Sequence, residues 1–172
     1  MAENIVLSDA SPLIGLAAAD GFSLLRKLFG TVTVTATVRR EVIAGKGLPG
    51  ASDLGKAIRA GWVRVMKDFP GEMPFAWLDA GEASTLFAAM KLGRPCLVLI
   101  DEVAGREQAR ALGLAVTGTA GVLLVAKQRG LIAEVRPYFE TLMRTDFRLS
   151  AEVIRAVLDD AGESWTGRNR GR

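Results

Sequence analysis

Cys96-Leu97-Val98-Leu99-Ile100-Asp101-Glu102 is the stretch that decides the fold, because five apolar residues run directly into two carboxylates. A short apolar run of this kind, introduced by Gly93-Arg94-Pro95, is typical of a strand buried on both faces inside a parallel sheet. The segment over residues 103–112 reads as a helix that ends at Gly113. Open α/β sheets bind ligands beyond the carboxyl ends of their strands, so an acid at this point is well placed for a functional role.

Short apolar runs alternate with helical patterns along the rest of the chain. Four further strands are predicted, at residues 5–7, 31–35, 62–66 and 114–116. This alternation predicts an α/β fold, specifically a three-layer α/β/α domain with a mostly parallel central sheet. We expect the domain to cover residues 1–162, and the polar, arginine-bearing residues 163–172 to form a disordered tail.

The composition excludes several kinds of chemistry. The 172 residues contain no histidine and a single cysteine, Cys96. Histidine-based acid–base catalysis, disulfides within the chain and metal sites built from cysteine or imidazole are therefore excluded. Carboxylates, hydroxyls, Lys and Arg remain, and carboxylates suit hard ions such as Mg²⁺ or Mn²⁺. The formal net charge of +3 is too small to indicate a nucleic-acid binder by itself.

Two features of the chain bear on its location. No apolar run reaches the ~18 residues that a membrane span needs. The first residues, Met1-Ala2-Glu3-Asn4, lack the basic region that opens a signal peptide. We therefore expect a cytoplasmic protein without membrane contact.

Two aspartates follow predicted strands. Asp9 ends the first strand, and the capping of the next helix is already assigned to Ser11 with Pro12 behind it, which favours a functional role for Asp9. Asp101 follows the central strand and has an alternative role as the N-cap of the next helix. A carboxylate placed by a rigid buried strand nevertheless has the precision that metal binding requires.

Two glutamates open helices and have structural alternatives. Glu82 lies three residues after Asp79, which is the spacing of a capping box, so structural and functional roles are equally supported and can coexist. Glu102 lies in the first turn of the helix after Asp101, where the helix dipole favours an acid. It is a weaker candidate for the site.

Three other residues lie near the same predicted edge of the sheet. Thr119 belongs to the turn Thr117-Gly118-Thr119 after the last short strand, and ordinary turn chemistry is an equally good explanation for it. Arg106 and Arg110 are four residues apart on the helix after Asp101. They form either a solvated helix face or a surface that meets phosphates.

The order and spacing of the three main acids resemble the PIN domain, a family of metal-dependent ribonucleases that includes the VapC-type toxins of prokaryotic toxin–antitoxin systems. Asp9 follows a first strand with Ser11 two positions later, Glu82 opens a helix within residues 78–83, and Asp101 closes the central strand. The resemblance extends over residues 4–162. Further motifs are similar to a prokaryotic PIN-like subfamily: Leu99-Ile100-Asp101-Glu102, Gly105-Arg106, Gly118-Thr119-Ala120-Gly121-Val122-Leu123, Gly130-Leu131-Ile132 and Phe147-Arg148-Leu149-Ser150.

The resemblance implies roles for these residues. Asp9, Glu82 and Asp101 would bind Mg²⁺ or Mn²⁺ and carry catalysis, and Ser11 would support the first aspartate. Many PIN domains carry a fourth acid after the last strand, where this chain has Thr117-Gly118-Thr119. The resemblance leaves two substitutes, with Thr119 holding a water or phosphate and Glu102 supplying charge.

The function implied is a metal-dependent endoribonuclease that hydrolyses RNA phosphodiesters, acting as the toxin of a toxin–antitoxin pair. Its expected partners are RNA, contacted through Arg106 and Arg110, a small antitoxin protein, and a second copy in a homodimer. The missing fourth acid keeps an alternative open, a catalytically impaired PIN-like module that binds RNA or protein. A metal-dependent phosphatase or phosphotransferase on a related sheet is a third reading.

Overall fold

The computed structural model describes residues 5–45, 47, 49–93 and 95–165. Five strands occur in these ranges: β1 (Ile5–Ser8), β2 (Val32–Thr35), β3 (Val63–Met66), β4 (Cys96–Leu99) and β5 (Ala115–Thr117). They form one sheet in the order β3-β2-β1-β4-β5, and every neighbouring pair runs parallel.

Helices cover both faces of this sheet. Within the described ranges they are α1 (Ala10–Ala18), α2 (Ser23–Phe29), α3 (Ala36–Ala44), α4 (Ala51–Arg59), α5 (Ala80–Leu92), α6 (Val103–Ala111), α7 (Thr119–Gln128), α8 (Arg136–Leu142) and α9 (Ala151–Asp160). Buried residues of α5 and α6 share a core with one face, and those of α1, α2 and α7 share a core with the other. The predicted three-layer α/β/α fold is confirmed. None of these helices has the length and apolar character to cross a membrane.

Strand β4 shows why both faces need a helical layer. Val98 packs into the core formed with α5 and α6, whereas Leu99 packs into the core formed with α1 and α7. Both side chains are fully buried. Successive side chains of a strand point to opposite faces, so a run that is apolar throughout requires cover on both sides.

The direction in which successive strands are added to the sheet reverses between β1 and β4, which is the topological switch point of the sheet. The chain builds outward from β1 to β2 and β3 on one side, and from β4 to β5 on the other. Leu7 is in register with Val98, and the amide of Asp9 donates a hydrogen bond to the carbonyl of Leu99 at 3.0 Å. Ligands of such sheets bind at this point, and Asp9 and Asp101 follow the two strands that flank it.

Helix α5 is buried along most of its length. Every residue from 81 to 89 is buried, because the helix lies against β1, β2 and β4 and contacts both α3 and α6. Many of these residues are small, which lets the helix approach the sheet closely. Glu82 lies in the first turn of this helix and is therefore only 4% exposed.

Two helix beginnings differ from the sequence-based prediction. Helix α1 begins at Ala10, and its N-cap is Asp9, whose side chain accepts a hydrogen bond from the amide of Ser11 at 3.4 Å. The prediction that Ser11 caps this helix and leaves Asp9 without a structural role is therefore wrong. At α5 the N-cap is Asp79, whose side chain makes no capping hydrogen bond, so only the glutamate half of the capping box is supported, through the Asp79 amide that lowers the pKa of Glu82.

The predicted disordered tail has to be corrected at its start. The Glu163 carboxylate accepts hydrogen bonds from Lys127 Nζ at 2.7 Å and from the amides of Val135 and Arg136 at 2.8 and 2.9 Å. Burial raises the pKa of Glu163, but these three donors outweigh it and hold the pKa below its ordinary value. Glu163 is thus part of the folded domain, and residues 166–172 lie outside the described residues.

We expect Glu163→Ala to lower the free energy of unfolding by about 2–3 kcal/mol, because two amides lose their acceptor and the partly buried ammonium of Lys127 loses its carboxylate partner, keeping its bond to the Ala161 carbonyl. Urea unfolding followed by circular dichroism measures the change. Glu107→Ala, which removes an exposed glutamate from α6, is the matched control and should change stability by less than about 0.5 kcal/mol. Equal stability of the two variants would contradict the prediction.

Candidate acidic site

Asp9 is buried at the carboxyl end of β1, with 3% of its surface exposed. Burial is the largest influence on its ionisation and raises the pKa of Asp9 to about 7. The amides of Ala10 and Ser11 oppose this shift, whereas the negative charges of Glu82 and Glu41 add to it. A carboxyl group in this environment gains from any cation that replaces its proton.

Glu82 reaches the same edge of the sheet from the first turn of α5. Its Oε1 atom is buried and, among the described residues, has no hydrogen-bond partner. The atom lies against Gly105 of α6, where an added Cβ would collide with it. Burial, followed by the charges of Glu102, Asp79 and Glu41, raises the pKa of Glu82 to about 7. A buried carboxyl oxygen without a hydrogen-bond partner destabilises the folded state. A ligand that contacts this oxygen would remove that destabilisation.

Asp101 follows β4 and is held by Thr119. Its Oδ1 accepts a hydrogen bond from the Thr119 amide at 2.7 Å, and its Oδ2 accepts one from the Thr119 hydroxyl at 2.8 Å. Burial raises the pKa of Asp101 in spite of these bonds. Thr119 therefore orients Asp101 through both its backbone amide and its hydroxyl.

Glu41 is an acid that the sequence analysis missed. It lies on α3, and its Oε2 together with Asp9 Oδ1 lies where a Cβ on Gly81 would be. Burial of its carboxyl raises the pKa of Glu41, while the Gly81 amide lowers it. In the sequence Glu41 looks like an ordinary solvent-facing helical glutamate, and no local pattern signals its position beside Asp9.

A directional chain of hydroxyls ties α3 to α5. The Thr35 hydroxyl accepts a hydrogen bond from the amide of Val38 in the first turn of α3. It lies 2.8 Å from the Ser84 hydroxyl, which in turn donates to the Gly81 carbonyl at 2.9 Å. Because Ser84 donates to Gly81, Thr35 must donate to Ser84. This chain fixes the first turns of the two helices that carry Glu41 and Glu82.

The acids are grouped at one edge but are not gathered around one point. The charges of Glu82 and Glu41 raise the pKa of Asp9, and Glu102 raises the pKa values of Glu82 and Asp101. Among the described residues, however, no three acidic side chains are arranged so that they could hold one metal ion. The oxygen donors suit Mg²⁺ or Mn²⁺ in kind, and the unpartnered Glu82 Oε1 is the atom that most needs a cation.

The other predicted site residues lie around this group in different ways. Ser11 does contact Asp9, but through its backbone amide. Glu102 is the exposed N-cap of α6. Arg106 lies beside Asp101 and lines a cleft of about 370 Å³ between α6, α7 and α9. Arg110 is exposed on α6 and does not line that cleft.

Fold and site together define a class of protein, a parallel α/β domain that places buried carboxylates at the switch point of its sheet. A PIN-domain family model matches residues 5–163, and the chain belongs to the PIN-domain family, as the sequence motifs predicted. The PIN domain is a nuclease-type fold. A comparison with curated proteins returned no match.

The raised pKa values predict how stability depends on pH in the absence of metal. Asp9 and Glu82 keep their protons up to about pH 7 in the folded protein, whereas their ordinary pKa values are 3.8 and 4.5. At pH values between the ordinary and the raised pKa values, the folded state therefore binds more protons than the unfolded state. The free energy of unfolding should consequently fall as the pH rises from 4 to 7.

Urea unfolding in EDTA at both ends of this range measures the effect. Asp9→Asn keeps a good N-cap and removes the charge, so it should be more stable than wild type at neutral pH, by about 1–3 kcal/mol. Asp159→Asn, at an exposed position of α9, is the control and should follow the wild-type profile. A wild-type stability that rises between pH 4 and 7 would contradict the assignment.

Gly81→Ala tests the close approach of the acids to α5. An added Cβ would lie 2.6 Å from Asp9 Oδ1, and this buried side chain cannot move without losing its contact with Ser11. We expect the variant to be destabilised by about 1 kcal/mol or more. Gly55→Ala in α4 meets only Arg59 at 3.5 Å and should gain about 0.5–1 kcal/mol from helix propensity. An equal gain for both variants in urea unfolding would show that the acids do not crowd Gly81.

Proposed function

We propose that this protein is a Mg²⁺- or Mn²⁺-dependent endoribonuclease whose catalytic acids are Asp9, Glu82 and Asp101, joined by Glu41. The observation that carries the proposal is the buried, unpartnered Oε1 of Glu82 beside two carboxyl groups with raised pKa values. Membership of a nuclease-type fold family supports it. Glu41 also supplies a fourth acid, which the sequence lacks after its last strand, because α3 brings its carboxylate to the same edge of the sheet.

The residues have separate parts in this proposal. Asp9, Glu41 and Glu82 supply the oxygen ligands, and their crowding disfavours the bare carboxylates, so that a bound cation can take the place of their protons. Asp101 is kept in one orientation by Thr119, which leaves it little freedom to rotate. A bound Mg²⁺ or Mn²⁺ supplies the water activation and the phosphate neutralisation that a chain without histidine lacks.

Cleavage of a labelled single-stranded RNA in Mn²⁺ tests the proposal. Asp101→Asn and Glu41→Gln should each reduce the rate by about 100-fold or more, because each removes a charge that the site requires, and we expect 5′-phosphate product ends. Asp159→Asn and Glu140→Gln make the same changes at exposed positions and should cleave at the wild-type rate. Circular dichroism checks that all four variants fold. Wild-type rates for Asp101→Asn would overturn the assignment.

A non-catalytic PIN-like module that binds RNA or protein is the second candidate, and a specific observation favours it. Among the described residues no three acids are grouped to hold a metal ion. Thermal unfolding with increasing Mn²⁺ separates the two functions. The nuclease should be stabilised at millimolar metal and the module should not.

The biological setting stays a prediction that follows from the family resemblance. We propose that the protein acts as the toxin of a toxin–antitoxin pair, in the cytoplasm, as a homodimer, with a small antitoxin that blocks the acidic site. Co-expression with the product of an adjacent small reading frame, followed by co-purification and an RNA cleavage assay, tests this setting. Cleavage that is equally fast with and without that product would contradict it.

A further inference from the structure

The segment between α8 and α9 contains Phe147-Arg148-Leu149-Ser150, a motif that the acidic site does not explain. Residues 145–150, the strap, cross the domain with alternating burial: Thr145, Phe147 and Leu149 are partly buried, and the residues between them are exposed. This alternation is typical of an extended chain that lies with one side against the protein. The inward side chains of Phe147 and Leu149 pack against the core that α1 and α7 share.

Phe147 is held at both its backbone and its ring. The Thr145 hydroxyl accepts a hydrogen bond from the Phe147 amide at 3.1 Å and donates one to the Leu142 carbonyl at 2.7 Å, which fixes the turn after α8. The ring lies on Gly15 of α1, where an added Cβ would be 2.5 Å from Cζ and 2.7 Å from Cε2 of the ring. The absence of a side chain at Gly15 therefore allows the ring to approach the helix this closely.

Thr119 shares the same point on Gly15. Its hydroxyl oxygen would lie 2.7 Å from the added Cβ, so the Phe147 ring and the Thr119 hydroxyl are neighbours on the surface of α1. Thr119 is fully buried, and its hydroxyl donates a hydrogen bond to Asp101 at 2.8 Å. The hydroxyl that holds Asp101 is thus packed at the junction of Gly15 and Phe147.

Packing at this junction limits how the Thr119 side chain can rotate. A threonine in a helix has two common χ1 rotamers, and rotation about χ1 would carry the hydroxyl away from Asp101. A rigid ring that fills the space beside the hydroxyl keeps the side chain in one rotamer, because close-packed groups have no room to turn. A smaller side chain at position 147 would leave space into which the hydroxyl can move.

We infer that Phe147 is a positioning residue of the acidic site, whose ring holds the Thr119 hydroxyl against Asp101. This inference rests on the proposed function, in which Asp101 is one of the catalytic acids. The ring also joins two elements of the site, since it packs where α1, which Asp9 caps, meets α7, which begins at Thr119. The strap thereby contributes to the geometry of acids that lie far from it in sequence.

Two-dimensional ¹H–¹⁵N NMR of the full chain in EDTA tests the inference without metal and without cleavage. The Thr119 amide donates to Asp101 at 2.7 Å, so its proton should resonate downfield and exchange slowly with solvent. In Phe147→Leu we expect this proton to move upfield and to exchange about tenfold faster, because the carboxylate is held less firmly. Phe22→Leu makes the same change in the same core, where Phe22 packs on Trp62, and should leave the Thr119 signal unchanged.

A double-mutant cycle with Thr119→Val, measured as RNA cleavage in Mn²⁺, shows whether the ring acts through the hydroxyl. Valine has the shape of threonine but cannot donate to Asp101. Phe147→Leu alone should reduce kcat about tenfold with KM unchanged, whereas in the Thr119→Val background it should reduce kcat by less than about twofold. A purely structural role of the ring would lower kcat by the same factor in both backgrounds.

Three results would overturn the inference: an unchanged Thr119 amide signal in Phe147→Leu, an equal change in Phe22→Leu, or equal losses of kcat in both Thr119 backgrounds. If circular dichroism shows that Phe147→Leu does not fold, Phe147→Met, which keeps a similar volume without the rigid ring, carries the same test. A shifted Thr119 signal in a protein that cleaves no RNA would contradict only the nuclease proposal. Cleavage that requires Asp101, together with an unchanged Thr119 signal, would contradict only this inference.

Discussion

The burial of like charges at one edge of the sheet is the constraint on which the rest of this structure depends. Asp9 and Glu82 are nearly inaccessible to water, and the Glu41 carboxyl lies beside Asp9 at Gly81. Removing carboxylates from water is unfavourable, and mutual repulsion adds to the cost, so the group either keeps protons or takes up a cation. A fold that maintains such a group of carboxylates is less stable than it would be without them, unless protons or a cation neutralise them.

The tertiary structure meets this constraint with a helix that is buried on nearly all sides. Helix α5 can approach the sheet, α3 and α6 together because small residues face each of them. Gly81 and Gly105 leave room for carboxyl oxygens where any side chain would collide with them. The hydroxyl chain through Thr35 and Ser84 then fixes α3 against α5, so that the acids cannot relieve their repulsion by separating the helices.

Acidic and basic side chains are distributed unevenly around the switch point of the sheet. The acids occupy the edge above β1 and β4, and the cleft that extends from Asp101 and Glu102 towards α9 is also lined by Arg106 and Arg148. A modest net charge of +3 is compatible with such local separation, because recognition depends on where charges lie.

By itself the sequence determined the layers of the fold and three of the acids. The apolar run at residues 96–100 requires cover on both faces of the sheet. Residues that directly follow a strand or open a helix lie at the carboxyl edge of a parallel sheet, and this rule located Asp9, Glu82 and Asp101. Only the tertiary structure decided the rest. Glu41 joins the acids because α3 packs against α5, and Asp101 is oriented by Thr119 from another element. Contacts between elements distant in sequence leave no local periodicity or spacing from which they can be predicted.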